Sequence, residues 1–403
     1  MTKGSLFKKG RIWYYRFMHS GKRICKAGTE SKEETRKMMI LAIADAEVSG
    51  GIFKPSDIKF SDMLDIWFNE CVKDTLRHGT RCDYQNAIKN HLKPYFKDAK
   101  LKDVTIDMLQ QYIDEKSKRY SPSTMKAHFV VLNGSFKYAV YPKNYIRESP
   151  MLYVIRKKIN KNIDTFLDIE EESKIEILDA TAVKKVFEAT KNTIYYLPVI
   201  IAYHTGMRAG EVCAVMWSDV NFKDKSIRVN KSMFYNTELK TWELGMPKGG
   251  KARSIEVGDI LLSLLRQVKK EQLQKKLLFG DDYKSVFYQR VTIDGRDHIQ
   301  LTHVNSKDTV PADFVCEKDN GDAFTNQTVK CGVKMIKKAT GLPFYFHMIR
   351  HTHATMLIEN GANIKDVQER LGHTDIKITM NTYSHVTPKM RKQTVDIFEK
   401  AIL

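Results

Sequence analysis

The sequence predicts a mainly α chain with small β-sheets, divided among several domains. Three observations lead there. The chain has 403 residues, more than one ordinary core accommodates. Apolar residues recur at helical spacing through 58–150, and helices again dominate 177–403. Strand-favouring aromatics alternate with basic residues near the start, and later strand-like runs are short.

Residues 1–55 open on Phe7-Lys8-Lys9-Gly10-Arg11-Ile12-Trp13-Tyr14-Tyr15-Arg16-Phe17, read as a strand. His19-Ser20-Gly21-Lys22 turns the chain into a second strand around Arg23-Ile24-Cys25. A helix rich in Glu, Lys and Ala follows from about Lys32 to Glu47. Such a sheet, with aromatic and basic side chains interleaved, can lay strands in a DNA groove. A small solubilising sheet around an aromatic core fits the same residues.

Residues 58–150 read as a four-helix unit. Phe60, Met63, Leu64 and Trp67 repeat at helical spacing, as do Tyr84, Ile88 and Leu92. Ser121-Pro122 is a cap followed by proline in the first turn, and Met125, Phe129, Leu132 and Phe136 form the stripe behind it. Lys89, Lys93, Lys126 and Lys137 give these helices a basic face suited to phosphates, though a plain bundle would look similar. Residues 151–176 read as a linker, with the charge runs Arg156-Lys157-Lys158 and Glu170-Glu171-Glu172. Residues 177–403 form the last domain, with strand-like segments at Ser226–Phe234 and Arg253–Val257. The stretch from Glu271 to Asp313 reads as an insertion with strand-like pieces such as Ser285–Tyr288. No internal repeat is evident.

Lys plus Arg number 67 against 48 Asp plus Glu, a net charge of +19 that recurs along the chain. A polyanion is the expected partner, nucleic acid above all. A membrane surface is the weaker alternative, since no basic amphipathic anchor stands out. No run approaches the ~18 apolar residues of a membrane span. Met1-Thr2-Lys3-Gly4-Ser5 lacks the apolar core of a signal peptide, so a cytoplasmic protein is expected. The cysteines at 25, 71, 82, 213, 316 and 331 form no CxxC pair and read as buried reduced thiols.

Four segments carry chemistry together. They are His204-Thr205-Gly206-Met207-Arg208-Ala209-Gly210-Glu211, Pro247-Lys248-Gly249-Gly250-Lys251-Ala252-Arg253, His347-Met348-Ile349-Arg350-His351, and Leu371-Gly372-His373 with Tyr383 beyond it. Exchanging a phosphodiester without water or metal requires a protein nucleophile, cations around the non-bridging oxygens and an acid for the departing oxygen. Arg208 and Arg350, each on an expected helix, offer planar forks for phosphate oxygens. Glu211, one turn after Arg208, can hold that guanidinium. Lys248 sits at a glycine-rich turn from which it can reach a leaving oxygen, and Lys251 is its rival. His347 lies one turn from Arg350, and Tyr383 supplies the nucleophile. Each piece alone is weak, because a helical Arg/Glu pair is ordinarily a surface ion pair. His347, His351 and His353 could also be read as a metal cluster. No acidic third ligand follows at a recognisable spacing, and Arg350 would set a cation beside the metal.

Taken in order, these motifs resemble the tyrosine recombinase, or phage integrase, family. The resemblance rests on Gly206-Met207-Arg208-Ala209-Gly210-Glu211, Lys248 in its hairpin, His347-Met348-Ile349-Arg350-His351-Thr352, Leu371-Gly372-His373-Thr374 and Thr379-Met380-Asn381-Thr382-Tyr383-Ser384-His385. The layout before them is similar to integrases of temperate phages and conjugative transposons. It implies an arm-binding sheet domain at 1–55, a helical core-binding domain at 58–150 and a mixed α/β catalytic domain at 177–403 with a C-terminal tail. The resemblance implies that Arg208 and Arg350 bind the scissile phosphate and that Lys248 protonates the 5′-oxygen. It further implies that His347 assists proton transfer, His373 hydrogen-bonds the phosphate, and Tyr383 becomes the 3′-phosphotyrosine. No metal or nucleotide cofactor is expected, and no Walker-type loop occurs. The implied partners are double-stranded attachment sites, a homotetramer on synapsed DNA, and an excisionase or DNA-bending host factor. A topoisomerase of type IB and a non-catalytic DNA-binding regulator are the competing readings. The stripe Val395, Phe398 and Ile402 is expected either to pack on its own domain or to dock on a neighbouring protomer.

Overall fold

The computed structural model describes residues 4–49, 53, 55–76, 78–155, 177–293, 295–376, 380 and 399. These fall into two compact units, one within 1–165 and one within 166–403. Most of the expected linker and the expected C-terminal stripe lie outside the described residues.

The first unit opens with three strands, β1 (Gly4–Lys9), β2 (Ile12–His19) and β3 (Lys22–Ala27), in an antiparallel sheet of that order. The sequence reading gave one strand through Phe17; the chain instead reverses at Gly10, whose φ is 63°, so Leu6 pairs with Tyr15. Tyr15 and Phe17 point to one side, as period-two alternation requires, and are buried against α1 (Lys32–Ser49). Lys8 and Lys32 lie over the Trp13 ring on that same side, beside the start of α1, and on the opposite side Arg16 lies over Phe7, so basic side chains cover half-buried aromatic rings on both faces.

Four helical rods follow. The first is α2 (Phe60–Trp67), continued by a π turn at Phe68–Val72. The second is α3 (His78–Ala87), running through another π turn (Ile88–Leu92) into α4 (Lys93–Phe96). The others are α5 (Ile106–Ser117) and α6 (Pro122–Val140). Ser121 caps α6 as expected, its Oγ accepting the Thr124 N–H at 3.3 Å. The apolar stripes meet in one core, where the Phe60 ring lies 5.1 Å from both Phe96 and Phe136. Of the four basic residues singled out, Lys89, Lys126 and Lys137 are exposed, while Lys93 is paired with Asp65 at 2.6 Å.

The second unit packs seven helices around two sheets among the described residues. The chain runs α7 (Ala180–Thr190), α8 (Tyr196–Thr205), α9 (Ala209–Ala214), β4 (Val220–Asn221), β5 (Ser226–Val229), β6 (Ser232–Asn236), β7 (Thr241–Gly245) and β8 (Arg253–Glu256). It continues through α10 (Asp259–Phe279), β9 (Phe287–Ile293), β10 (Arg296–Thr302), β11 (Thr309–Pro311), α11 (Asn326–Thr340), α12 (His347–Glu359) and α13 (Ile364–Leu371). One sheet has the order β4-β5-β8 and the other β11-β9-β10-β7-β6. The expected strand at 226–234 is therefore two strands in two different sheets. The stretch after Glu271 finishes α10 and then supplies three of the five strands of the larger sheet. The cysteine reading holds for Cys213 and Cys316, which are buried; Cys25 and Cys331 are exposed. Among the described residues no helix is long and apolar enough to cross a membrane.

Candidate active site

The four motifs converge within the second unit. α8 ends at Gly206, whose φ of 69° is the left-handed conformation that glycine adopts without steric cost. That turn points the Gly206 carbonyl at Arg350, whose Nη1 donates to it at 2.7 Å. Arg350 Nη2 donates to the Leu371 carbonyl at 2.8 Å, and the residue is 1 % exposed. One guanidinium thus ties α12 to the motif before Arg208 and to the motif before His373.

Arg208 was expected inside a helix and is instead the residue that caps α9, with extended backbone. Glu211 reaches back to it, accepting the Arg208 backbone N–H and its Nη1–H, each at 3.0 Å. The carboxylate is 1 % exposed and has a second arginine on it: Arg253 Nη2 lies 2.7 Å from Oε2 and Nη1 3.2 Å from Oε1. Burial alone would raise the Glu211 pKa. The Arg253 hydrogen bond and the charges of both arginines outweigh it and hold the group below its usual range.

Lys248 lies in the turn between β7 and β8, closed by the Gly250 N–H donating to the Pro247 carbonyl at 2.9 Å. This is not a hairpin, because β7 and β8 belong to different sheets. Lys248 and Lys251 are both exposed, but Lys248 is among the cations pressing on His347. A Cβ built on Gly249 would stand 3.1 Å from Thr374 Cγ2, so the lysine turn leans on the loop that bears His373.

Burial, with the neighbouring His351, Arg350, Arg208 and Lys248, pushes the His347 pKa down to about 4. Burial, with Arg350, Arg208, His347 and Arg253, pushes His373 to about 3. Both imidazoles are therefore neutral at physiological pH, which leaves His347 able to accept a proton and His373 able to donate a hydrogen bond. Arg350's bonds to the Gly206 and Leu371 carbonyls bring the Arg208 and His373 segments to α12, and Arg208 and His347 share one groove wall, so the four residues surround one locus. Tyr383 lies outside the described residues.

The histidine cluster has a different explanation from metal binding. His347 and His351 touch edge to face with centroids 4.8 Å apart. His353 instead faces away into the core: Nδ1 lies 2.8 Å from the Tyr203 carbonyl, and Nε2 accepts from Arg370 Nε at 3.1 Å. Among the described residues no group of three His, Cys, Asp or Glu is placed to hold a metal. Sequence reasoning gave no role to Arg253 or Arg370. Arg370 also donates to the Glu256 carbonyl at 3.1 Å and the His204 carbonyl at 3.0 Å.

A groove of about 1840 Å³ opens beside this locus, with Arg208 and His347 on its wall and Tyr235, Lys240, Lys330 and Lys334 around them. Basic and aromatic lining of this kind suits a polyanion rather than a small apolar ligand.

Comparison with known proteins agrees with this chemistry. The profile described as the phage integrase family matches residues 171–390, and that of the phage integrase N-terminal SAM-like domain matches residues 59–117. A tyrosine recombinase XerC-like protein of Caldanaerobacter subterraneus subsp. tengcongensis is 27% identical over 84% of this chain and 82% of its own length. The integrase of Staphylococcus phage L54a is 26% identical over 86% of this chain and 94% of its own. Among solved structures, the Tn1549 transposon integrase in complex with transposon right end DNA superposes with a TM-score of 0.62. It is 18% identical and covers 85% of this chain and 100% of that one. A lambda integrase dimer bound to a core site gives 0.55 at 15% identity, covering 94% of each chain. These likenesses show a shared fold. With its profile match extending over more than half the sequence, the chain belongs to the phage integrase family and is a tyrosine recombinase.

Proposed function

We propose that this recombinase is an integrase that joins and releases a mobile element by cutting DNA at two attachment sites and exchanging the strands. The observation that carries this reading is the convergence of Arg208, Arg350, His347 and His373 on one locus, with the Lys248 turn leaning on it. In this scheme the Tyr383 hydroxyl attacks the scissile phosphorus while neutral His347 accepts its proton. Arg208 and Arg350 neutralise the non-bridging oxygens as charge builds there, helped by a hydrogen bond from His373. The bond to the 5′-oxygen breaks as Lys248 protonates it, leaving a 3′-phosphotyrosine that stores the bond energy for the reverse step on a new strand. No bound cofactor enters these steps.

The domain assignment proposed with it is arm-site binding by 1–55, core-site binding by 58–150 and catalysis by 177–403. Four protomers would exchange two strands in turn through a four-way junction, with an excisionase or DNA-bending host factor setting direction, in the cytoplasm. Lambda integrase has been solved as a tetramer bound to a Holliday junction, which supports that assembly for a chain of this fold.

A nicked suicide substrate tests the reading. The wild-type chain should form a covalent complex, and Tyr383→Phe should form none while binding DNA almost as well. Undiminished covalent complex in the variant overturns the nucleophile. Failure of the wild type to trap leaves a DNA-binding regulator, and trapping without joining between two sites leaves a topoisomerase.

A further inference from the structure

We propose that Arg253 is a positioning residue for strand cleavage, locking the Lys248 turn to the phosphate-binding arginines and to the His373 loop. This rests on the functional reading above and adds a residue that the reading leaves unassigned.

Lys248 is separated from β8 by a turn containing two adjacent glycines, Gly249 and Gly250, both at positive φ. Such a turn holds a side chain poorly by itself, because glycine leaves the backbone many alternatives. A proton donor that wanders by an ångström loses much of its rate advantage. The chain needs an anchor where the turn ends, and Arg253 is the first residue of β8, paired with Val229.

Its side chain then reaches two of the other motifs. Nε donates to the Arg370 carbonyl at 2.8 Å, just ahead of Gly372 and His373. Both terminal nitrogens grip the Glu211 carboxylate, whose other contacts are to Arg208. Gly372 shows how tight the fit is: with φ at 68° it passes over the guanidinium, and a Cβ there would sit 2.9 Å from Arg253 Nη1. The planar fork supplies three donors in fixed directions, which an ammonium group cannot reproduce. Arg253 is 10 % exposed and its hydrogen bonds go to Glu211 and Arg370, so it orders the groups that meet the phosphate rather than meeting it.

The test is single-turnover cleavage by the full chain on three suicide substrates: ordinary DNA, one with a 5′-bridging phosphorothiolate, and one with a methylphosphonate at the scissile position. The sulfur leaves without a proton, and the methyl group removes the charge the arginines neutralise. Arg253→Gln should cleave ordinary DNA on the order of 10²-fold more slowly than wild type. The phosphorothiolate should recover most of that loss, as it should for Lys248→Ala, with DNA affinity unchanged. Arg253→Lys keeps a cation on Glu211 and serves if the glutamine variant does not fold; it should show the same sulfur rescue. The methylphosphonate should rescue Arg350→Ala strongly and the Arg253 variants weakly. If Lys248→Ala is rescued and the Arg253 variants are not, the positioning role is wrong while the acid stands. If Lys248→Ala ignores the sulfur too, the acid assignment falls and this proposal with it.

Discussion

Removing the Glu211 side chain should destabilise the catalytic unit as well as slow it. The carboxylate is 1 % exposed and takes four hydrogen bonds from Arg208 and Arg253, whose side chains are 20 % and 10 % exposed. Deleting one partner of a buried ion pair costs ~3–5 kcal/mol, because the remaining charge loses both water and counterion. Arg208 can recover some hydration and Arg253 cannot, so Glu211→Ala should sit near the lower end, about 3 kcal/mol. That is a large share of the ~5–15 kcal/mol that holds a domain together. For a unit of this size it corresponds to a fall in Tm of roughly 6–12 °C. Glu211→Gln keeps an acceptor for the Arg208 N–H and should lose less, roughly 1.5–3 kcal/mol. Scanning calorimetry of the full chain, following the transition of the catalytic unit, measures both. Acid gives an internal check. The folded-state pKa of Glu211 is depressed, so its contribution is fully present above ~4.3 and disappears as pH falls through the folded value. Wild type and Glu211→Ala should therefore converge in strong acid. A shift below ~2 °C at pH 7, or a gap that widens on acidification, would refute the reasoning.

Four further outcomes are expected. Lys248→Ala should cleave ordinary DNA slowly and a 5′-phosphorothiolate substrate at near wild-type rate; rescue of Lys251→Ala instead would show that the wrong lysine has been assigned. Binding to core-site DNA should weaken with salt at a slope of roughly −0.9 per phosphate contact in a double-logarithmic plot, and a flat plot would argue against binding through many phosphates. Deleting residues 1–55 should abolish arm-site binding while leaving core-site cleavage in place, and loss of cleavage by the folded truncation would count against that domain assignment. Finally, His347 and His353 are held at about 4 and His373 at about 3, each below the unfolded imidazole. Their contribution to stability is present above ~6.5 and lost as pH falls toward 4, so urea midpoints should drop across that window. Unchanged midpoints between pH 6.5 and 4.5 would mean these rings are not buried neutral.

What could be read from the sequence was what side-chain chemistry dictates. Arg208, His347 and Arg350 stand out because a phosphodiester exchange needs groups of those kinds, His373 because the order of the motifs resembles the recombinase family, and the structure gathers them. Arg253 and Arg370 did not stand out, because arginine is ordinarily a surface residue and their partners are backbone carbonyls and side chains far away in the sequence, which no local spacing reveals. Arg208 looked helical because its neighbours do; the left-handed turn at Gly206 ends one helix and makes Arg208 the cap of the next. The single strand expected over 226–234 is divided in two for a similar reason. Ile227, Val229 and Met233 fall on one period-two face, yet the two halves find partners in different sheets, a choice made by tertiary packing rather than by period. The helices of 58–150 were the easier case, since a stripe such as Phe60, Met63, Leu64 and Trp67 has one way to be buried.

The order of the five-stranded sheet has a practical consequence for anyone wishing to label or extend this protein. β6 forms one edge and packs on α9, the helix that carries Glu211; β9, β10 and β11 are added beyond β7. β6 thus carries the sheet's packing on the helix whose Glu211 holds Arg208, while β10 runs from Arg296 to Thr302, which lies on the wall of the groove beside Arg208. The turn at Gly295, between β9 and β10, has φ at 72° and open space where a side chain would begin. A fluorophore or a short peptide inserted there would ride on a hairpin whose register is set by the seven paired residues from Arg296 to Thr302, leaving the lysine turn and its arginine anchor untouched.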